Sequence, residues 1–242
     1  FEIQETDVIG NQAPFDFDVS VKDIYSGLKS GAKVQIIPRE YFSFPPKLMD
    51  YLVDKKVTVL VWAVSAMCFV SVMGGFEYKV PSNIRQVMFS GEVLPIKHLN
   101  KWKKYLPDAR FVNLYGPTEI TCNCTYHILD REYTDTESIP IGKAFPNEKI
   151  ILIADDGSMV KDPGVEGEIC VSGTSLALGY YKEMERTQNA FTQNPFNDKY
   201  MELIYHTGDI GKWDDEGNLL YVCRKDFQIK HKGNKHLKSR CF

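Results

Sequence analysis

The sequence lacks a dominant charge. Its 242 residues carry 29 Lys and Arg against 32 Asp and Glu, a formal net charge of −3, so no global field points to nucleic acid. It lacks internal repeats and low-complexity stretches, which excludes a collagen-like chain. It lacks cysteine pairs at metal spacing. The six cysteines, Cys68, Cys122, Cys124, Cys170, Cys223 and Cys241, are scattered, and Cys122-Asn-Cys124 has no second pair to complete a zinc set. They read as small, buried or pocket-lining side chains. Unpaired cysteines and no recognisable secretory signal lead us to expect a reducing cytoplasm. Long hydrophobic runs are also scarce. One, Val57 to Phe76, has no charge over twenty residues, near the ~20 that a bilayer span needs. Its β-branched first half reads instead as a strand buried on both faces. Its second half, Ser65 to Met73, reads as a buried helix stopped by Gly74-Gly75, so no membrane contact is expected.

The rest is ordinary for a globular chain, at 43% hydrophobic and 25% charged residues. At roughly 150 residues per domain this allows one or two domains. The charge is uneven, however. Arg224 to Phe242 holds seven Lys and Arg against the single acid Asp226, a local +6 that leaves −9 elsewhere.

Up to about residue 120, strand and helix signals alternate. Val21, Ile24, Tyr25 and Leu28 have helical spacing before Gly31, and Val34 to Ile37 follows as a strand. Pro45-Pro46 opens a helix, Val57 to Trp62 and Arg85 to Ser90 are strands, Pro95 starts another helix, and Phe111 to Tyr115 is a strand. Such alternation predicts an α/β fold, a parallel sheet with flanking helices. Ligands of such sheets bind beyond the carboxyl ends of the strands. Near Pro140 the pattern changes to short strands with Gly-rich turns at Asp155-Asp-Gly157 and Asp214 to Asn218, with one helix around Glu183 to Phe191. That predicts a small β-barrel-like subdomain. The expected division is residues 1–138, 139–223 and 224–242.

Three segments carry chemistry. In Asn113-Leu-Tyr-Gly-Pro-Thr-Glu119 a strand ends in a tight turn at Gly116-Pro117. Thr118 is then placed to bond a phosphate oxygen and Glu119 to hold Mg²⁺, the metal of oxygen ligands and phosphates; a plain β-turn with exposed polar residues is the alternative. His206-Thr-Gly-Asp209 offers a carboxylate after a Gly turn, suited to two vicinal hydroxyls. Arg224, opening the basic tail, offers a second sugar contact or is simply a solvated strand end.

In this order and spacing the three segments resemble the adenylate-forming (acyl-AMP) enzymes, and within them the amino-acid adenylation domains of peptide synthetases and the D-alanine–carrier-protein ligases. Phe17-Asp-Val-Ser20, Phe89-Ser-Gly-Glu-Val-Leu-Pro95, Ile139-Pro-Ile-Gly142 and Gly167-Glu-Ile169 fit as well, so the resemblance runs from Phe15 to Gly233. It implies that Tyr115 stacks on adenine, Asn113 bonds its edge, Gly116 belongs to the same nucleotide loop, and Thr118 contacts phosphate. It implies that Glu119 holds Mg²⁺, that Asp209 and Arg224 hold the ribose, and that Asp226 is the hinge of a mobile C-terminal domain. The implied cofactors are ATP/AMP and Mg²⁺, with phosphopantetheine on a carrier protein as acceptor. Such chemistry needs charge neutralisation and positioning more than an enzyme nucleophile, which agrees with the lack of an obvious Ser-His-Asp or Cys-His set.

By the same resemblance Asp18 pairs with the α-ammonium of an amino acid, and Val19, Lys22, Val61, Met88, Ser90, Leu114, Cys122 and Asn123 line the side-chain pocket. Lys22 is the exception among mostly apolar or small residues. A buried ammonium needs a partner, and a substrate carboxylate supplies one, so the expected substrate is an acidic amino acid, with D-alanine or another small one as the alternative. Lys22 turned to solvent, or paired with Asp23 or Glu92, is the plainer reading.

Two departures stand out. The Gly/Ser/Thr-rich phosphate loop of the resembled enzymes lies upstream of Phe17-Asp18, and their catalytic lysine lies in a small domain of roughly 100 residues beyond the hinge; neither is in this chain. After Gly233 the expected Arg and Glu are Lys235 and Leu237. The chain therefore reads as the central part of an amino-acid-activating ligase, with self-association expected through exposed apolar surface. The alternatives are part of an acyl- or aryl-CoA ligase, against which Asp18 argues, and a non-catalytic module that binds nucleotide or carrier protein.

Overall fold

The structure is a computed structural model that describes residues 1–134, 137–225, 228–231 and 234–237, the last two stretches as backbone only. It divides into two compact units, Phe1–Asn113 with Ile128–Ile139, and Leu114–His127 with Pro140–Phe242.

The first unit is α/β. Its strands are β1 (Val8–Asn11), β2 (Lys33–Ile36), β3 (Val59–Ala63), β4 (Gln86–Ser90) and β5 (Arg110–Tyr115), the last carrying the chain on into the second unit. They lie in the order β2-β1-β3-β4-β5, each adjacent pair parallel. The helices are α1 (Ser20–Ser30), α2 (Pro45–Asp54), α3 (Val64–Val72), α4 (Gly75–Tyr78) and α5 (Ile96–Tyr105). The expected helices and strands are all present. Gly31 ends α1 at φ 74, the left-handed cap that glycine accepts without steric penalty. Gly74 likewise ends the preceding helical turn at φ 70, but Gly75 starts the short extra helix α4. The uncharged run at Val57 is thus strand plus helix, and among the described residues no helix is long and apolar enough to cross a membrane.

Strands buried on both faces explain the hydrophobic runs. Leu60, Trp62, Val87 and Phe89 point into one core with Leu48, Leu52, Met67, Leu99 and Trp102. The Trp62 and Trp102 rings meet edge-on, 6.2 Å apart. Their buried indole N–H groups are satisfied: Trp62 donates to the Gly10 carbonyl at 2.9 Å and Trp102 to that of Met67 at 3.0 Å. β1 has no counterpart in the sequence reading. It is anchored by Asp7, whose carboxylate accepts from Arg85 Nε at 2.8 Å, Arg85 Nη2 at 2.5 Å, Thr58 Oγ1 at 2.7 Å and the Gln4 N–H at 2.8 Å.

The second unit is mostly antiparallel. It contains most of β6 (Thr125–Ile128), whose last residue falls in the first unit, paired with β7 (Lys143–Ala144), then β8 (Glu148–Ile153), β9 (Met159–Val160), β10 (Glu166–Gly173), α6 (Met184–Ala190), β11 (Phe191–Gln193), β12 (Leu203–Trp213) and β13 (Leu219–Arg224). The last strands form a curled half-barrel sheet ordered β11-β12-β10-β8-β9, with β13 on β12. A backbone hairpin of β14 (Gln228–His231) and β15 (Asn234–Leu237) follows. The two hairpins expected from Asp155-Asp-Gly157 and Asp214 to Asn218 join β8 to β9 and β12 to β13. Gly142 sits at φ 84, and a Cβ there would lie 2.0 Å from the Tyr126 carbonyl oxygen, so no other residue fits.

One expectation is corrected. His206-Thr-Gly-Asp209 is not a loop but the middle of the eleven-residue strand β12. The strand survives its Gly because it bulges there. Glu168 of β10 faces Ile210 while Cys170 faces His206, so β12 carries extra residues between, and Gly208 takes φ 70. A second shift falls on the other edge, where Ile210 faces Cys223 but Gly211 faces Tyr221. Bulges of this kind re-aim a side chain without ending the strand.

Candidate functional site

The bulge presents Asp209. Thr207 and Gly208 leave the ladder, and their polar groups are accounted for locally. Thr207 Oγ1 donates to the Ile169 carbonyl at 2.7 Å and accepts from the Asp209 N–H at 3.0 Å. The Gly208 N–H donates to Glu168 Oε1 at 3.0 Å, and its carbonyl accepts from the Lys225 N–H at 2.7 Å. Asp209 then faces Arg224 directly across β12 and β13.

The Asp209 carboxylate is 2% exposed and meets two partners. Oδ1 accepts from Arg224 Nη1 at 3.0 Å, and Oδ2 accepts from the Tyr115 hydroxyl at 2.6 Å. Arg224 also donates to the Thr207 carbonyl at 3.1 Å. Burial, and then the adjacent Asp209 charge, raise the Tyr115 pKa well above that of a free phenol, so Tyr115 is the donor in this pair. The ring at the end of β5 is thereby held by its hydroxyl, and each carboxylate oxygen keeps lone-pair capacity for a further donor.

Glu119 lies in the short helical turn Thr118–Ile120 that follows β5. It is 8% exposed, and its Oε1 accepts from the Tyr180 hydroxyl at 2.8 Å. Tyr180 is fixed in turn: its N–H donates to Thr187 Oγ1 at 2.8 Å, and the Arg186 guanidinium sits 3.8 Å from its ring centroid. The Tyr205 hydroxyl lies 3.4 Å from that of Tyr180. Burial raises both phenols above their ordinary range. The Ala177 N–H caps the Glu119 carbonyl at 2.8 Å, and Thr121 Oγ1 donates to the Ser175 carbonyl at 2.8 Å. Beyond the turn, Thr121 and Cys122 both take positive φ, 55 and 85. Two such non-glycine residues in succession cost about 1–3 kcal/mol each. Thr118 is exposed beside them. Gly116 packs so tightly that a Cβ would lie 2.5 Å from Asn123 Cα.

The second unit therefore gathers Tyr115, Gly116, Thr118, Glu119, Cys122, Asn123, Asp209 and Arg224, with Leu114 at its start. Asp18, Val19, Lys22, Val61, Met88, Ser90 and Asn113 belong to the first unit. There Val61 pairs with Met88, and Ser90 lies two residues on, so all three share one face of the sheet, opposite Trp62 and Phe89 in the core. Asp18 precedes α1 and Lys22 lies in its first turn; both are half-buried. Asn113 faces Phe89 in the ladder and is 8% exposed. Asp226 lies outside the described residues. Tyr180, Tyr205 and Thr207 escaped the sequence reading. Thr207 lies within His206-Thr-Gly-Asp209 and Tyr205 directly before it, and strand alternation places both on the buried face.

The donor chemistry fits the groups that the sequence implies. Mg²⁺ takes one or two protein carboxylates and leaves its other positions to phosphates and water. Glu119 is such a carboxylate, and the Tyr180 hydroxyl that donates to it is neutral.

Comparison with known proteins identifies the family. The description "AMP-binding enzyme" belongs to the family model that matches residues 1–181. The D-alanine–D-alanyl carrier protein ligase of Bacillus licheniformis is 34% identical over 238 residues, spanning 96% of this chain and 45% of that protein. Bacitracin synthase 1 of the same species is 32% identical over 232 residues, spanning 96% of this chain and 4% of the relative. Among solved structures, the Vibrio cholerae adenylation domain AlmE in complex with glycyl-adenosine-5'-phosphate superposes with a TM-score of 0.86 at 28% identity, over 97% of this chain and 43% of that one. The chain thus spans less than half the length of these relatives. With three quarters of its residues inside the matched region, it belongs to the AMP-binding enzyme family, of the type found in peptide synthetase adenylation domains and D-alanine–carrier-protein ligases.

Proposed function

We propose that this chain supplies the nucleotide-binding and amino-acid-binding part of a ligase that converts an amino acid and ATP into aminoacyl-AMP and pyrophosphate. The observation that carries this reading is the Tyr115–Asp209–Arg224 cluster, a fixed aromatic ring beside a buried carboxylate and a guanidinium, close in sequence to Glu119. In this reading the Tyr115 ring stacks on adenine, with Gly116 in the same loop and Asn113 at the base edge. Asp209 accepts from the ribose hydroxyls, and Arg224 donates to them.

The substrate carboxylate attacks the α-phosphorus, a P–O bond forms to the acyl oxygen, and pyrophosphate leaves. Thr118 orients the phosphate, and Glu119 holds Mg²⁺, which when bound neutralises phosphate charge. The chain contributes positioning and electrostatics, with no nucleophile of its own. Asp18 binds the α-ammonium; Val19, Val61, Met88, Ser90, Leu114, Cys122 and Asn123 shape the side-chain pocket. Lys22 selects an acidic amino acid over a small one. Transfer to a carrier-protein phosphopantetheine thiol, in the cytoplasm, completes the reaction, with Asp226 as the hinge. The carrier-protein ligase and synthetase relatives support this, as does the glycyl-adenylate named for the Vibrio structure.

The test is amino-acid-dependent ATP–pyrophosphate exchange by the complete ligase that carries this chain. Glutamate or aspartate is expected to drive exchange, and Lys22→Ala to abolish the preference for them. Exchange driven by fatty or aryl acids in place of amino acids would overturn the assignment of Asp18. An amino-acid preference unchanged in Lys22→Ala would overturn the acidic substrate alone.

A further inference from the structure

The β10–β12 bulge gathers a second constellation that nucleotide chemistry does not use. Cys170 faces His206 across the ladder, and Glu168 lies two residues along β10 on the same face. His206 Nδ1 is 3.4 Å from Cys170 Sγ and 3.5 Å from Glu168 Oε2, and one donor atom from each of the three residues lies within 4.8 Å of the others. We infer that Glu168, Cys170 and His206 form a binding site for a zinc-class divalent transition metal, which pins the bulge that presents Asp209.

Four considerations carry this. First, the two separations from His206 Nδ1 are those of a metal site. Donors of a tetrahedral zinc site, with Zn–S of roughly 2.3 Å and Zn–N of roughly 2.0 Å, stand about 3.3–3.6 Å apart. Second, the alternative of a Cys–His–Glu nucleophile fails on connectivity. A catalytic imidazole uses one ring nitrogen for the thiol and the other for the carboxylate, whereas here thiol and carboxylate converge on the same nitrogen. Third, the other nitrogen is already engaged, with Nε2 3.0 Å from Thr192 Oγ1. A metal-bound histidine is oriented by such an outer hydrogen bond, and with Nε2–H donating to Thr192 the Nδ1 lone pair faces the metal. Fourth, thiolate, imidazole and carboxylate together suit zinc and its neighbours, whereas Mg²⁺ and Ca²⁺ prefer oxygen alone.

The site is reachable. Cys170 is buried, but the side chains of His206 and Glu168 are 27% and 14% exposed, which leaves a solvent-facing fourth position. Lys225 Nζ, 3.5 Å from Glu168 Oε2, is the competing cation. Its side chain is 55% exposed and also lies 3.9 Å from Asp155, so it can withdraw when a metal enters. Glu168 Oε1 keeps the Gly208 N–H, so one carboxylate ties metal to bulge.

The experiment is titration of the full chain, free of any polyhistidine tag, with Co²⁺ in place of Zn²⁺, followed by visible and near-ultraviolet absorption. One equivalent is expected to bind with a thiolate-to-cobalt charge-transfer band, to be displaced by Zn²⁺, and to raise the thermal unfolding temperature. The band is expected to vanish in Cys170→Ala and to persist in Cys68→Ser and Cys223→Ser. His206→Asn, at a half-exposed position, is expected to weaken binding at least tenfold. Thr192→Val is expected to weaken it about 10–100-fold. No thiolate band in the unaltered chain would overturn the proposal, and so would a band of equal intensity in Cys170→Ala or equal affinity in His206→Asn.

Discussion

Each unit buries an aspartate against an arginine, and the two pairs have different uses. Asp7, in the first unit, is gripped by both Arg85 nitrogens, Thr58 and the Gln4 N–H, while Arg85 also donates to the Glu2 carbonyl at 2.8 Å. Every contact there is within the segment entering β1 or to the residues that lead into β3 and β4, so the pair is a staple. Asp209, in the second unit, is at least as buried, but its partners are the ring at the end of β5 and an arginine at the end of β13, and it stands on a bulge. Burial and charge alone do not mark a site. What separates the two is the backbone that presents the carboxylate and the chemistry of its neighbours. A fork of nitrogens saturates Asp7; a phenol and a single guanidinium nitrogen orient Asp209.

The strongest way to break this comparison is to remove the Asp209 carboxylate. Asp209→Ala leaves Arg224 and the Tyr115 hydroxyl without it in a buried setting, and is expected to cost the second unit about 3–5 kcal/mol, read by denaturant unfolding. Nucleotide binding is expected to be lost with it.

The next test sets Asp7 against another acid of the first unit. Asp23 is fully buried, and among the described residues its hydrogen-bond partner is Asn11 Nδ2 at 2.7 Å. Burial pushes its carboxyl up to about 7, the Asn11 hydrogen bond and the Lys22 charge opposing. The folded state thus holds that proton where the unfolded chain, near pKa ~3.9, has lost it. Stability of this unit is therefore expected to fall as pH rises from about 4 to 7, by up to ~4 kcal/mol for a shift of this size. Asp23→Asn is expected to flatten that fall. An unchanged pH profile of urea midpoints would refute it.

Asp7 has the opposite sign. Burial alone would raise its carboxyl, but the Arg85, Gln4 and Thr58 hydrogen bonds outweigh it and bring it down to about 2. Its stabilisation is present above the unfolded pKa and is lost as pH falls through the range toward 2. Asp7→Asn is expected to cost about 1–3 kcal/mol at neutral pH and to leave nucleotide affinity unchanged; a parallel loss of affinity would erase the distinction between staple and site.

The smallest effect is expected at Tyr180→Phe. Removing its donor to Glu119 is expected to cost about 0.5–1.5 kcal/mol in stability and to weaken the Mg²⁺ dependence of nucleotide binding, measured by titration at varied Mg²⁺.

The same contrast explains what could be read from the chain. The parallel sheet was legible because strands buried on both faces leave uninterrupted runs such as Val-Leu-Val-Trp62. Pro45 and Gly31 mark helix ends by steric rules that tertiary context rarely overrides. β1 was missed because only Val8-Ile-Gly-Asn11 carries it, in a polar surrounding, and its stability comes from Asp7 and distant Arg85. In the second unit the motif residues were legible but their backbone was not. Gly and Asp are turn formers, so His-Thr-Gly-Asp209 reads as a loop; Glu168 and Thr207 satisfy the bulge and keep the strand intact. Tyr180 and Glu119 meet although they stand 61 positions apart, and no local spacing announces that.

The most direct test of the central claim, that the Tyr115–Asp209–Arg224 cluster is a nucleotide site, is calorimetric titration of the chain with Mg·ATP beside Asp209→Asn, which keeps the shape and removes the charge. Binding to the unaltered chain and at least tenfold weaker binding to the variant are expected, with matching circular dichroism. Equal affinity in the two, or no binding to the folded unaltered chain, would contradict it.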